Sequence, residues 1–598
     1  MIIKQLKILF DIRERIKILI IILANIFSTI LELIGIGSIP IFALIIVDLD
    51  KFILRMSEYI SIDFLEGVSN QSITIYAACI LGAIFIFKNI FIFYTHFIQA
   101  SLLKSLRSST SNKLFKHYIT LPYLQIMNKN PATLIKTVET DVSFTYICVQ
   151  AYLMMFKESL VLLSIFILLF VTDPIISIFS ILLIGIPVLI FYLFYRKNLK
   201  TKGEIAQKSM DKKMKLINES FGLIKETKIM NRENFFIKYF FKINQKVEEL
   251  QLFAHMIAIS PRLFLEVMAL MAVATVCAIL IFLGNTPDTI LPIITLLSVS
   301  VIRLIPSFTT ISTSFTNLRY RGPSMRIVIS ELETYEANKA ALEKDLKINK
   351  NLDNKNTQLK KSILLEGVSF NYDNREKIAV NNINIDIKKG SIVGIIGKSG
   401  SGKSTLVDII LGLIDPKKGN VYIDDKNIDS FKKSWQKQIG YIPQDIYLLD
   451  DSIINNIVFG IDESEINENL INDVIKLAQL EKLINSLPNK LETVVGNRGI
   501  KLSGGERQRI GIARALYKNP NIMIFDEATS ALDIENENMI LEEIYENKKE
   551  KTILIISHRN NTVKYCDVIY VMEEGKIVDQ GSFKKIMEKN HNLRENKF

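Results

Sequence analysis

The feature that most restricts this fold is a series of six apolar stretches in the first half of a 598-residue chain, at 16–47, 73–103, 145–171, 174–195, 255–283 and 289–317. A helix of about 20 residues crosses the ~30 Å hydrocarbon core of a bilayer, and helices this long with almost no polar face cannot all hide in a soluble core. The first half therefore reads as a six-span helical region embedded in lipid. Although basic residues precede the first stretch, it runs on to Val47 without a small-residue cleavage pattern, so it is a retained span and not a signal peptide.

Basic residues mark one side of the expected membrane. They precede the first span and follow the second (Lys104, Arg107, Lys113, Lys116), the fourth (Arg196, Lys197, Lys200, Lys202) and the sixth (Arg319, Arg321, Arg326), which predicts a cytoplasmic location for both termini. These loops account for the excess of 73 Lys and Arg over 62 Asp and Glu without calling on nucleic acid. Segments 105–143 and 197–250 keep helical spacing, so the second to fifth spans are predicted to continue beyond the bilayer, with bends near 122–127 and 222–229 as coupling contacts. Segment 51–65 is amphipathic and reads as an interfacial helix or a plain loop. Four scattered cysteines offer neither a disulfide framework nor zinc spacing.

Composition changes after the sixth span. Residues 1–330 form the expected transmembrane domain with cytoplasmic helical extensions, 331–362 a Lys/Asn/Glu-rich linker, and 363–598 a soluble α/β domain with a mainly parallel sheet, since short β-branched runs there alternate with helical patterns.

The α/β region carries the chemistry. Gly397, Lys398, Ser399, Gly400, Ser401, Gly402, Lys403 and Ser404 fit G-x-x-x-x-G-K-[ST] between a predicted strand and a helix opening at Thr405. Glycines there let backbone N–H groups wrap phosphates, Lys403 adds charge, and the Ser404 hydroxyl suits Mg²⁺. A second apolar strand ends in Asp526 and Glu527, which we assign to the metal and to the base that polarises water. Ser503, Gly504, Gly505 and Glu506 open another helix, a second anion site. Two separate phosphate cradles in one chain are most simply explained by two copies head to tail, each completing the other's site.

Taken together, these motifs resemble the nucleotide-binding domain of ATP-binding cassette proteins, and the whole chain resembles a half-size ABC exporter of type IV fold. The resemblance implies ATP and Mg²⁺ as ligands, hydrolysis coupled to transport, and a homodimer. It also implies that Tyr372 stacks on adenine, that Gln444 reaches metal and water, that Asp533 is the D-loop aspartate, and that His558 is the switch histidine. Glu506 stands where glutamine is common and Asn497 where many exporters have glutamate; neither departure removes a catalytic group.

Cargo is read from ionisable residues inside the spans, namely Glu32, Lys88, Glu266 and Arg303. Lys88 and Arg303 are the expected contacts for an anionic substrate head, the alternative being a structural role in which Lys88 snorkels or pairs with Glu32. Pro261 to Glu266 and Arg303 to Ser307 resemble the flippase of lipid-linked oligosaccharides, which implies a lipid-linked glycan or similar amphiphile as cargo. Lipid A or phospholipid flippases, peptide or drug exporters, and an ATP-gated channel or membrane-anchored regulatory ATPase are the alternatives. The Lys/Asn/Ile-rich usage fits a bacterial inner membrane.

Overall fold

The computed structural model of the protein describes residues 9–47, 49, 52–53, 69–172, 174–282, 287–352, 359–373, 377–528, 539, 542, 551–557 and 562–589. The chain divides into two compact units, Met1–Leu121 with Gln125–Lys339, and Ala340–Phe598 with Pro122–Leu124. All of the amphipathic segment 51–65 except Phe52 and Ile53 lies outside the described residues.

Six long helices build the first unit: α1 (Ile12–Val47), α2 (Asn70–Thr120), α3 (Val142–Thr172), α4 (Pro174–Gly222), α5 (Glu233–Phe282) and α6 (Pro287–Leu352). Among the described residues, Ile12–Val47, Asn70–Thr120, Pro131–Val171 and Glu233–Phe282 are long and apolar enough to cross a membrane. The expected fourth and sixth spans fall within α4 and α6. On α1 the polarity of a soluble helix is reversed. Asn25, Ser28, Thr29 and Glu32 are buried on one stripe, while Leu23, Ile30 and Ile34 are exposed. That pattern suits lipid outside and polar partners inside.

The expected extensions are present but broken. Ser69 caps α2, its hydroxyl accepting from Ser72 N at 3.3 Å. The helix stops at Leu121, held extended by Pro122. Short helices Tyr123–Met127 and Pro131–Lys136 follow, the second started by the Asn130 side chain, which accepts from Ala132 N at 2.9 Å. Leu223 alone separates α4 from a short helix, Ile224–Ile229. Beyond Lys136 a single π-helical turn, Thr137–Asp141, sets the Asp141 carboxylate 3.2 Å from the buried Lys136 ammonium. Gln207 of α4 donates to the same carboxylate at 2.9 Å and accepts from Ser324 of α6 at 2.9 Å, so one buried chain of polar contacts fastens three segments together. Helix α6 runs on to Leu352, into the stretch that reads as linker from sequence.

The second unit holds two sheets. A four-stranded antiparallel sheet, which sequence reading did not distinguish, has the order β2-β1-β4-β5, from β1 (Ser362–Phe370), β2 (Val380–Lys388), β4 (Lys418–Ile423) and β5 (Lys426–Asn427). The other has the order β10-β9-β3-β8-β7-β6, from β3 (Ile392–Ile396), β6 (Ile439–Ile442), β7 (Ile522–Asp526), β8 (Thr552–Ser557), β9 (Val568–Glu573) and β10 (Lys576–Gly581). Its strands are parallel from β9 to β6, so the C-terminal ends of β3, β7 and β8 share one edge, where open α/β sheets bind ligands. Helix α7 (Lys403–Ile410) follows the loop after β3. Helices α8 (Ile453–Ile457) and α9 (Gly504–Tyr517) pack with Ile471, Val474 and Leu480 in a cluster that also takes residues from the large sheet.

Trp435, the only tryptophan in the chain, is fully buried and donates from Nε1 to the Ile410 carbonyl at 2.8 Å. It therefore reports on this unit alone. Leu406 is fully buried in the same cluster. Leu406→Ala is expected to destabilise the unit by about 2–5 kcal/mol through cavity formation. Denaturant titration of Trp435 fluorescence checks this, and an unchanged midpoint would contradict it.

Candidate functional site

The turn after β3 is shaped by glycines that cannot be replaced. A Cβ at Gly397 would lie 2.2 Å from the Met572 carbonyl oxygen, and one at Gly402 would lie 2.1 Å from that of Ala379. Gly402 also has φ 102°, in the left-handed region, and caps α7. The exposed tip, Lys398 to Gly400, stands clear of the sheet, and Ser404 is exposed on the first turn of α7. The Ser401 hydroxyl is buried without a hydrogen-bond partner among the described residues.

Lys403 is 6% exposed, and its ammonium donates to the carbonyls of Gly397 at 2.8 Å and Lys398 at 3.0 Å. Burial lowers its pKa, while Glu527 and Asp526 pull it the other way. The lysine thus holds the loop in a phosphate-sized curve while its charge is met only by carbonyl dipoles and two nearby carboxylates.

At the end of β7, Asp526 is 9% exposed and accepts from the Tyr441 hydroxyl at 3.1 Å. Burial raises its pKa, and the Tyr441 hydrogen bond opposes that. Glu527 follows in a left-handed conformation (φ 49°), fixed by its N–H donating to Ile556 O at 2.9 Å. That turn points its carboxylate to Gln444, whose Nε2 donates to Glu527 Oε2 at 2.8 Å. Tyr372 lies edge-on to Phe370 with ring centroids 5.1 Å apart, and its hydroxyl is 3.2 Å from Thr405 Oγ1. The structure thus brings Lys403 near Asp526 and Glu527, pairs Glu527 with Gln444, and sets the Tyr372 hydroxyl against Thr405. Asp533 and His558 lie outside the described residues, although His558 directly follows β8.

Ser503 and Glu506 open α9 with a reciprocal cap: Glu506 Oε2 accepts from Ser503 N at 2.7 Å, and Ser503 Oγ accepts from Glu506 N at 3.3 Å. Glutamate at this position therefore secures the helix start and sets Gly504 and Gly505 in the first turn. Among the described residues no hydrogen bond or ion pair joins residues 503–506 to the phosphate loop.

Sequence reading missed three residues here. Tyr441 precedes Gln444 by three and looked like an ordinary strand residue. Asn456, fully buried, accepts from Leu449 N at 2.8 Å and from Arg514 at 3.0 Å, and donates to the carbonyls of Leu449 and Ser452. Arg514 of α9 also donates to Asn456 O at 2.7 Å and to Tyr447 O at 3.0 Å, so hydrogen bonds tie α8, α9 and the segment after Gln444 together.

Inside the helical unit, Arg303 donates to Glu32 Oε2 at 2.6 Å and 2.9 Å and to Glu158 at 3.4 Å, and Ser307 donates to Glu158 at 2.7 Å. Lys157 lies 3.8 Å from Glu32. Lys157 and Glu158 escaped the sequence reading because they interrupt an otherwise apolar span. The Lys88 stem crosses Gly35, where a Cβ would come within 3.2 Å of its Cδ, and its ammonium sits 4.2 Å from the Phe85 ring centroid. Glu266 pairs with Arg262 at 2.9 Å on the exposed side of α5.

These residues suit a nucleoside triphosphate with Mg²⁺. Glycine-lined backbone and an unpartnered Ser401 hydroxyl fit phosphate oxygens, while Ser404, Gln444 and Asp526 present the oxygen donors that a hard cation takes.

Comparison with known proteins agrees. Residues 380–530 match the ABC transporter family model and carry an ABC-type ATP-binding domain. The alpha-hemolysin translocation ATP-binding protein HlyB of Escherichia coli O6:H1 is 42% identical over 233 residues, 39% of this chain and 33% of that protein. The leukotoxin translocation ATP-binding protein LktB of Mannheimia glucosida is 40% identical over 237 residues, 40% of this chain and 33% of that protein. The match thus spans about a third of the length of these relatives. A bacterial Atm1-family ABC exporter solved with ATP bound shares the fold over 97% of this chain and 98% of its own, with a TM-score of 0.76 and 19% identity. The protein therefore has a half-size ABC exporter fold, a membrane-spanning helical region followed by an α/β ABC ATPase domain.

Asp408 on α7 has its pKa pushed up to about 6 by burial, with Asp526 adding to the rise. The folded state therefore binds this proton more tightly than the unfolded chain, and stability falls as pH rises from about 4 through 6. Asp408→Asn removes the penalty. It should raise stability at pH 8 by on the order of 1 kcal/mol, after allowing for solvent screening, and change little near pH 4. Trp435-monitored denaturation at the two pH values tests this; equal shifts at both would refute it.

Proposed function

We propose that the chain is an ATP-driven exporter that works as a homodimer in a bacterial inner membrane, with both termini cytoplasmic. The observation that carries this reading is the meeting, at one edge of a parallel sheet, of the Lys403 loop, the Asp526 carboxylate and the Glu527–Gln444 pair. The exporter fold extending over nearly the whole chain supports it.

The chemistry follows from the residues. Lys403 and the amides of residues 397–405 bind and orient the β- and γ-phosphates. Ser404, Gln444 and Asp526 would hold Mg²⁺, which when bound neutralises charge on the transferred phosphoryl group. Tyr441 keeps Asp526 oriented by its hydrogen bond. Glu527, aimed by its left-handed turn and by Gln444, accepts a hydrogen bond from the attacking water and then its proton, with His558 as the assisting switch histidine. Tyr372 offers a ring face to adenine. Residues Ser503 to Glu506 of the second copy complete the phosphate site, and Asp533 contributes at the same seam. The helical Ser-Gly-Gly start, capped by Glu506, presents its free amides to a partner's phosphates.

The cargo we favour is an amphipathic, lipid-linked molecule with an anionic head. Polar and charged side chains on the inner stripes of α1, α3 and α6 support a hydrophilic interior in an apolar surround. Lys88 and Arg303 remain the mid-membrane charges of this reading, Arg303 as the pin of the Glu32–Glu158 cluster. A peptide cargo is the second reading, favoured by the names of the hemolysin and leukotoxin translocation relatives. Their similarity lies in the ATP-binding part, however, which handles nucleotide and not cargo.

Glu527→Gln is expected to bind ATP with near-normal affinity while its turnover falls by about two orders of magnitude or more. Phosphate release and nucleotide binding measured on the full chain in lipid check this. Normal turnover would remove Glu527 from the base role and with it the proposed hydrolytic site.

A further inference from the structure

The segment that carries Gln444 has no ladder of its own. Residues 443–449, between β6 and α8, belong to no helix or strand, and Gln444 itself is exposed. If Gln444 is to stay 2.8 Å from Glu527 Oε2, the backbone beside it must be held from outside.

Helix α9 holds it. Ile446 lies across the helix at Gly511, where a Cβ would come within 2.2 Å of Ile446 Cδ1, so only glycine admits the loop this close. Leu448, fully buried, lies against Gly499 just ahead of α9, where a Cβ would come within 2.8 Å of Leu448 Cδ1. Between these two contacts Arg514 donates from Nη1 to the Tyr447 carbonyl at 3.0 Å. Its Nε and Nη2 donate to Asn456, at 2.7 Å to O and 3.0 Å to Oδ1, and Asn456 in turn bonds both the N–H and the carbonyl of Leu449. Tyr447 and Leu449 are therefore fixed to one guanidinium, the first directly and the second through a single fully buried side chain.

The charge of Arg514 is not spent on a carboxylate. Among the described residues it pairs with none, and the Phe459 ring centroid lies 4.8 Å from its guanidinium carbon. Half-burying a cation against carbonyls costs free energy that an apolar residue filling the same space would avoid. What a guanidinium adds is a rigid planar fork, which fixes direction as well as distance and which a lysine cannot copy.

We infer that Arg514 is a positioning residue for ATP hydrolysis: seated on α9, it orients residues 446–449 so that Gln444 meets Glu527 and the metal site, and it acts on the reaction only through Gln444. The inference rests on the roles given to Gln444 and Glu527 in the hydrolytic reading above.

The test is a double-mutant cycle on ATP turnover, measured as phosphate release by the full chain in phosphatidylcholine nanodiscs. Arg514→Lys should lower kcat about tenfold or more while the KM for ATP stays within about twofold. In a Gln444→Ala background the same change should have no further effect on kcat. A residue that only holds the fold together would instead multiply its loss onto that of Gln444→Ala. Gly511→Ala suits a helix but pushes on Ile446, so it should repeat both the kcat loss and the non-additivity; adding Ile446→Val, which removes the obstructing Cδ1, should restore part of the rate. Wild-type kcat in Arg514→Lys, multiplicative losses in the cycle, or wild-type kcat in Gln444→Ala would each overturn the proposal. If Arg514→Lys does not fold, as judged by circular dichroism, Gly511→Ala decides alone. Normal turnover of Glu527→Gln would retire the hydrolytic reading and this inference with it; low turnover of Glu527→Gln beside wild-type kcat in Arg514→Lys would retire this inference only.

Discussion

The ATP-binding unit depends on one crowded crossing, where the loop after β3 passes between the Met572 and Ala379 carbonyls with no space for a side chain at Gly397 or Gly402. Because the backbone is pressed that close, Lys403 can turn back and donate to the carbonyls of Gly397 and Lys398, which fixes the loop before any ligand arrives. A buried ammonium hydrogen-bonded to two carbonyls, with two carboxylates acting on it from farther off, gains further from anionic oxygens placed in the loop. Preorganisation and appetite for phosphate therefore come from the same contact. The carboxylates of Asp526 and Glu527 come near enough to act on the charge of this lysine because β7 and β3 run in the same direction, one strand apart.

The helical unit answers an opposite problem. With lipid as the outer solvent, polar groups turn inward and must find each other. Glu32, Lys157, Glu158, Arg303 and Ser307 do so across α1, α3 and α6. Beyond the spans, Lys136, Asp141, Asp211 and Gln207 form a second polar set. Removing one member of the first set would strand the others in an apolar setting, so those contacts fix which helix faces pack. Arg321 lies outside both sets and faces a cavity instead.

Much of the nucleotide site was legible in the sequence, because its chemistry is carried by short contiguous runs: residues 397–404 place glycine, lysine and hydroxyl within one turn, and Asp526 and Glu527 are adjacent. Less legible were residues whose role arises from distant partners. Tyr441 reads as a strand residue until β6 is seen beside β7, and Asn456 and Arg514 carry no sequence signal until they are found bonded to each other. Lys157 and Glu158 were hidden for a different reason, since an average over an apolar span conceals two adjacent charges. Glu506 looked like a departure from a pattern and is the reciprocal cap of α9.

By itself, then, the sequence determined that lipid is the solvent of one half and that the other half grips phosphate, because runs of apolar residues and a glycine-lysine loop act through local backbone physics that needs no distant partner. Only the tertiary structure decided which charges of the helical unit are neutralised and which are left over. Helix register settles whether an arginine such as Arg303 faces two glutamates or one such as Arg321 faces a cavity, and register is set by packing across the whole unit.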